Sequence, residues 1–109
     1  MVSEQLRLAV VDDDPDVRIA LIRLLSSAGF DAEPYESGVA FLRSVGGKHI
    51  DCVVLDLQMP QLNGFEVQRQ LARGHADIAV LVITGQDTAE ARQEAMRLGA
   101  AAYMQKALP

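Results

Sequence analysis

Three continuous apolar runs, each closed by a polar residue, limit what this chain can fold into. Leu8-Ala9-Val10-Val11 runs into Asp12, Cys52-Val53-Val54-Leu55 into Asp56, and Ile78-Ala79-Val80-Leu81-Val82-Ile83 into Thr84. Unbroken apolar runs without alternation suit strands covered on both faces, as in parallel sheets. Parallel strands joined through helices follow right-handed crossovers, which place helices on both faces of one sheet. Open sheets of this kind collect ligand chemistry at the carboxyl ends of their strands. The residues that end the runs are therefore the first candidates for function.

Taken in order, strand-like and helix-like segments alternate throughout. Leu6 to Val11 reads as the first strand, followed by Asp12-Asp13-Asp14-Pro15. Proline is tolerated in a first helical turn because its missing N–H would be unpaired there, and Asp14 suits an N-cap. The first helix is expected to reach Ala28 and stop at Gly29, with Val17, Ala20, Leu21, Leu24, Leu25 and Ala28 as its core stripe. Ile19 and Ile22 lie off that stripe, either as flanking core or as a partner-docking face. Phe30 to Tyr35 is less apolar and reads as an edge strand. Ser37 caps a helix through Val39, Phe41, Leu42 and Val45 that closes at Gly46-Gly47. After the Cys52–Asp56 strand and a loop from Gln58 to Asn63, a helix with Phe65, Val67 and Leu71 inward ends near Gly74. Ile78 to Thr84 is a central strand. Asp87 or Thr88 caps the next helix, which uses Ala91, Ala95 and Leu98 and ends at Gly99. Ala101 to Gln105 is a short last strand before Lys106.

The 109 residues make one domain, and half of them are apolar, enough to offset the entropy of folding. A net charge of −5 argues against this segment gripping nucleic acid, which needs clustered Lys and Arg. No apolar run approaches the roughly 20 residues of a membrane span, and no secretory signal opens the chain. The single cysteine, Cys52, reads as a small buried hydrophobe in a reducing compartment, so the expected location is the cytoplasm. His49 and His75 read as surface residues. Five strands with four helices put three helices on one face and one on the other, so either the chain continues into a fifth helix or a neighbour covers the gap.

The strand ends deliver Asp12 and Asp13, then Asp56, Thr84 and Lys106 to one edge, provided strands one, three, four and five are neighbours. Each has a bland reading alone: a turn and helix cap, a loop start, a strand-end turn or a solvated charge. Together they describe a chemistry. Three close carboxylates raise one another's pKa unless a cation sits among them. Mg²⁺ takes oxygen ligands, keeps waters and typically uses one or two carboxylates with a phosphoryl oxygen. A carboxylate also accepts phosphoryl groups as a nucleophile. Thr84 could then bond one phosphoryl oxygen and Lys106 neutralise another, with Gly85 leaving space for a donor.

These residues carry a family resemblance. Val10-Val11-Asp12-Asp13-Asp14-Pro15, Leu55 through Gly64 (Leu-Asp-Leu-Gln-Met-Pro-Gln-Leu-Asn-Gly), Val82-Ile83-Thr84-Gly85, Gly99-Ala100 and Tyr103-Met104-Gln105-Lys106 resemble a receiver domain of two-component response regulators over nearly the whole chain. The resemblance implies a flavodoxin-like, doubly wound parallel sheet of five strands in order 2-1-3-4-5, an order given for the chemotaxis member of this family. It implies Asp56 as phosphoacceptor, with Asp13, Asp56 and the Gln58 backbone carbonyl as direct Mg²⁺ ligands and Asp12 acting through water; Mn²⁺ could substitute. Thr84 and Lys106 resemble the phosphoryl-sensing pair, Tyr103 the aromatic residue that moves inward, and Gln58 and Gln86 the positions that tune phosphate lifetime. The implied function is a phosphorylation-gated switch, not an enzyme beyond its own phosphorylation and dephosphorylation. The implied partner is a histidine kinase or histidine phosphotransfer protein, with a homodimer compatible.

Two departures stand out. The family usually has proline after the lysine, whereas Ala107 follows Lys106; a cis bond before a non-proline costs about 2.5–4 kcal/mol, so the expectation is a trans bond or a strained cis one. The final helix is also missing from this stretch. One alternative is a Mg²⁺-dependent aspartate-nucleophile phosphatase, but these typically carry a second acid two residues on, and Asp56-Leu57-Gln58 lacks it. Another is a degenerate receiver that serves only as an interaction module, against which the complete acid set argues. A DNA-binding output giving transcription control, a stand-alone messenger and attachment to a sensor kinase all remain compatible with the chain.

Overall fold

The computed structural model describes residues 5–106. The elements are β1 (Arg7–Val11), α1 (Pro15–Ser27), β2 (Asp31–Tyr35), α2 (Gly38–Val45), β3 (Cys52–Asp56), α3 (Gly64–Gly74), β4 (Ala79–Thr84), α4 (Ala89–Arg97) and β5 (Ala102–Gln105). All strand pairings are parallel, and the sheet order is β2-β1-β3-β4-β5. The parallel sheet expected from the apolar runs and the doubly wound order implied by the resemblance are both observed, with strand starts shifted by a residue. Leu6 and Ile78 precede their strands rather than opening them. The Lys106–Ala107 bond lies outside the described residues.

Local chemistry sets the element ends. The side chains of Asp14, Ser37, Asn63 and Thr88 each accept a backbone N–H from the first turn of α1, α2, α3 and α4 respectively. Thr88, not Asp87, is the cap of α4. Gly29 and Gly99 follow α1 and α4 with φ of 95° and 100°, the left-handed conformation that stops a helix cheaply only at glycine.

Alternation along the strands splits the core in two. Val11, Val53, Leu55, Val80 and Val82 point toward α2, α3 and α4, where they pack with Phe41, Val67, Leu71 and Ala95. Val10, Val54 and Ile83 point the other way, toward α1. Among the described residues that second face carries one helix against three. Met104 pairs in register with Ile83, so it shares the α1 face, and it is 51% exposed.

The α1 stripe needs correction. Val17 is buried and Leu21 and Leu25 pack on the sheet, but Ala20, Leu24 and Ala28 are exposed, Leu24 at 65%. Ile22 packs where Leu24 was expected, while Ile19 remains exposed. Apolar residues occur almost all round this helix, so periodicity alone did not fix its rotation. Cys52 and His75 are half-buried rather than fully buried and exposed.

The turn after β3 is built around Gly64. A Cβ there would lie 2.6 Å from the Asp56 carbonyl oxygen and 2.8 Å from Leu57 Cα, both backbone atoms that cannot swing aside. The close approach lets α3 begin directly beneath the end of β3, with Gly64 N–H donating to Leu57 O at 3.1 Å. Gly64→Ala is predicted to lower the free energy of urea unfolding by about 1–3 kcal/mol, the usual cost of overpacking. Gly46→Ala, where a Cβ meets nothing within 4 Å, is predicted to shift it by less than about 0.5 kcal/mol.

Candidate functional site

The register brings the strand ends to one edge. Val11 pairs with Leu55, Asp56 with Ile83 and Thr84 with Gln105, so Asp12, Asp56, Thr84 and Lys106 emerge side by side. Carboxylate oxygens of Asp12, Asp13 and Asp56 lie within 4.8 Å of one another. Asp12 and Asp56 are buried and Asp13 is exposed, so the cluster is a deep pair of acids with a third at its mouth.

The two buried acids are held alike. Asp12 Oδ1 accepts the Asp14 N–H at 2.9 Å, and Asp56 Oδ1 accepts the Gln58 N–H at 3.2 Å. Each is an Asx-turn, in which a carboxylate bonds the backbone two residues on and shapes its own loop. The other oxygen of each faces Lys106, whose Nζ lies 2.8 Å from Asp12 Oδ2 and 3.4 Å from Asp56 Oδ2. Lys106 is placed by its backbone N–H, which donates to Thr84 O at 2.8 Å.

The electrostatics follow from crowding. Burial first, then the charge of Asp12, push the Asp56 carboxyl up to about 6, against the pull of the Gln58 N–H and of Lys106. Burial works against the Lys106 ammonium, but its bond to Asp12 and the charge of Asp56 prevail and raise its pKa. One ammonium is thus set against three carboxylates. Hard oxygen donors with one acid open to solvent are the donor set a small divalent cation takes, so Asp12, Asp13 and Asp56 could hold one.

Thr84 is 1% exposed, and its hydroxyl is turned to its own loop: Oγ1 accepts the Gln86 N–H at 3.1 Å and donates to Gln86 O at 3.3 Å. Gln58 is exposed, with its Oε1 3.9 Å from the point where a side chain on Gly85 would begin, so the amide lies beside the gap at Gly85. Gln86 is exposed on the same loop. Tyr103 is half-buried and packs against the three-helix core, on the α4 side of β5, so the ring is already inside while Thr84 still bonds its own loop, the position the resemblance attaches to the phosphorylated state.

Three contributors were not evident from the sequence. Arg18 Nη1 donates to the Asp12 carbonyl at 2.7 Å, bracing the acidic loop from α1. Gln68 is buried in α3 and donates from Nε2 to Ala95 O at 3.0 Å, tying α3 to α4. Arg92 lies over the Tyr103 ring, 4.7 Å from its centroid. A polar residue on a helix is by default a solvated one, and no spacing distinguishes these three from neighbours that are.

Comparison with known proteins agrees with this architecture. Residues 8–109 match the family described as the response regulator receiver domain. Response regulator MprA of Mycobacterium sp. (strain KMS) is 41% identical over 92% of this chain and 44% of the relative. The chain therefore spans less than half the length of the curated relatives it matches. A response regulator receiver protein from Burkholderia phymatum is 44% identical, with a TM-score of 0.81 over 96% of this chain and 86% of that one. A receiver protein from Pseudomonas putida superposes with a TM-score of 0.91 at 25% identity, covering 99% of this chain and 91% of the other. With its sheet order, its edge of acids and these relatives, the chain belongs to the receiver domains of two-component response regulators.

Proposed function

We propose that this receiver is a phosphorylation-gated switch in which Asp56 accepts a phosphoryl group from the phosphohistidine of a histidine kinase or histidine phosphotransfer protein. The observation that carries the reading is the convergence of Asp12, Asp13, Asp56 and Lys106 at one open strand edge. An oxygen of the Asp56 carboxylate forms the new P–O bond as the P–N bond to imidazole breaks, and the departing nitrogen takes up a proton. Asp13, Asp56 and the Gln58 carbonyl would hold Mg²⁺ directly and Asp12 through water, and Mn²⁺ could take its place. When bound, the ion supplies positive charge that offsets the carboxylates and the phosphoryl oxygens.

The chain's own residues do the rest. The Asx-turn to Gln58 orients the Asp56 carboxylate, and Lys106 follows the added charge of nearly two units. Thr84 gives up its bonds to Gln86 and donates to a phosphoryl oxygen, which shifts the loop between β4 and α4. Tyr103 responds in turn, altering the surface of α4 and β5. Gln58 and Gln86, beside the mouth, tune access of the hydrolytic water. The chain catalyses only its own modification.

The curated relatives are more than twice as long as the matched segment, which supports an output region, with transcription control as the expected output. The acidic receiver does not itself grip nucleic acid. Among the described residues no helix is long and apolar enough to cross a membrane, in keeping with a cytoplasmic role. Pairing of two receivers is compatible with this reading.

Two measurements test it. Acetyl phosphate with Mg²⁺ is predicted to add the mass of one phosphoryl group to the intact chain, and Asp56→Asn or EDTA to abolish the addition. An unmodified parent chain contradicts the reading. The second measurement concerns charge. Without divalent cation, the folded chain keeps the Asp56 proton to a higher pH than the unfolded chain, whose carboxyl titrates near its ordinary 3.8. That contribution to stability is complete below about pH 4 and is lost as pH rises through about 6. Asp56→Asn is predicted to melt several degrees above the parent near neutral pH and close to it in acid, as followed by circular dichroism.

A further inference from the structure

Tyr103 lies inward against the core. Its hydroxyl is buried and has no partner of good geometry among the described residues, although Asp87 and Thr88 are nearby. Burial, and then the approach of the Asp87 carboxylate, hold the phenol above its ordinary pKa, so the group stays protonated and faces Asp87. Leaving such a hydroxyl out of water costs free energy. A hydroxyl held this weakly leaves a role for a second contact in placing the ring.

Arg92 supplies a contact of that kind. Its guanidinium lies over the ring, with Cζ 4.7 Å from the centroid, inside the range where a cation is attracted by an aromatic face. The same guanidinium reaches back along α4, placing Nη2 3.3 Å from Asp87 Oδ2. As an exposed ion pair this would contribute little alone, Arg92 being 54% exposed. Its position matters more. Asp87 follows Gln86, whose N–H and carbonyl are the two groups that hold the Thr84 hydroxyl. A continuous line of contacts thus runs from Thr84 through Gln86 and Asp87 to Arg92 and the Tyr103 ring.

We propose that Arg92 is a positioning residue of the switch, one that pins the Tyr103 ring inward and links it to the Thr84 loop through Asp87. The coupling half rests on the reading of Thr84 and Tyr103 as the phosphoryl-responsive pair; the pinning half rests on geometry alone. When Thr84 leaves Gln86, the loop carries Asp87 with it. Arg92 then moves off the ring or drags it. Without Arg92, ring and loop move independently.

The chain has no tryptophan and two tyrosines, so Tyr35→Phe leaves Tyr103 as the sole source of tyrosine emission. Phenylalanine retains the edge contact of residue 35 with Phe41. In that background, acrylamide quenching of Tyr103 is measured with and without beryllofluoride and Mg²⁺, a phosphoryl mimic. Arg92→Ala is expected to raise quenching in the unmodified chain by about two- to fivefold, the population change that an exposed cation–π contact controls. It is expected to remove the change that beryllofluoride produces in the parent while beryllofluoride still binds, and Arg92→Lys to restore part of both effects. Unchanged quenching in Arg92→Ala, with the fold intact by circular dichroism, overturns the pinning. Raised quenching with a full beryllofluoride response overturns the coupling. Failure of beryllofluoride to bind the parent condemns the switch reading and the coupling with it, while quenching in the unmodified chain still decides the pinning. Asp87→Asn, which keeps Arg92 over the ring, separates the halves by losing the response without raising the quenching.

Discussion

The Lys106 ammonium, 2.8 Å from Asp12 and 3.4 Å from Asp56, is the contact on which the carboxyl edge of the sheet depends. Two buried carboxylates beside a third cannot share a strand edge at neutral pH without a cation among them. Lys106 meets that requirement only in part, because one positive charge stands against three negative ones. Burial first, and then this residual conflict with Asp12, raise the Asp56 pKa. The fold tolerates the conflict because each acid also shapes a turn: Asp12 closes the loop into α1 and Asp56 the loop toward α3. Each buried acid thus gives one oxygen to its own turn and presents the other to Lys106.

That division sets a firmly held acid beside a hydroxyl held only by its own loop. Asp56 sits on a central strand whose following turn is closed by Gly64, where not even a methyl group fits. Thr84, at the end of the next strand, has its hydroxyl spent on an exposed loop. Redirecting it requires breaking two local hydrogen bonds. The far end of α4 is tied to α3 by the Gln68 amide, so a disturbance at the Thr84 loop acts on the near end of the helix.

Much of this was legible in the sequence, for a physical reason. Apolar runs such as Val53-Val54-Leu55 specify buried parallel strands, and a sheet order that makes β1, β3, β4 and β5 neighbours aligns whatever residue follows each run. Asp12, Asp56, Thr84 and Lys106 were therefore readable from position alone. The rotation of α1 was not, because Ile19, Ile22, Leu24 and Leu25 offer competing apolar stripes and only the packed sheet chooses between them. Nor were the inward Gln68, the brace from Arg18 or the placement of Arg92 over Tyr103. Each is a long polar side chain whose destination lies outside its own helix, and the periodicity of that helix carries no information about it.

If the acids at this edge are held in unresolved repulsion, a divalent cation must stabilise the fold by relieving it. The direct measurement is the unfolding free energy of the chain as Mg²⁺ is titrated at neutral pH, for the parent and for Asp13→Ala. Asp13 is exposed, so its loss leaves the core unchanged. The parent is predicted to gain stability with Mg²⁺, by about 2.7 kcal/mol once the ion reaches a hundred times its dissociation constant, and Asp13→Ala to gain far less at the same concentrations. A parent whose stability does not respond to Mg²⁺, or an equal response in Asp13→Ala, would contradict the assignment of this edge as a cation-dependent phosphoacceptor site.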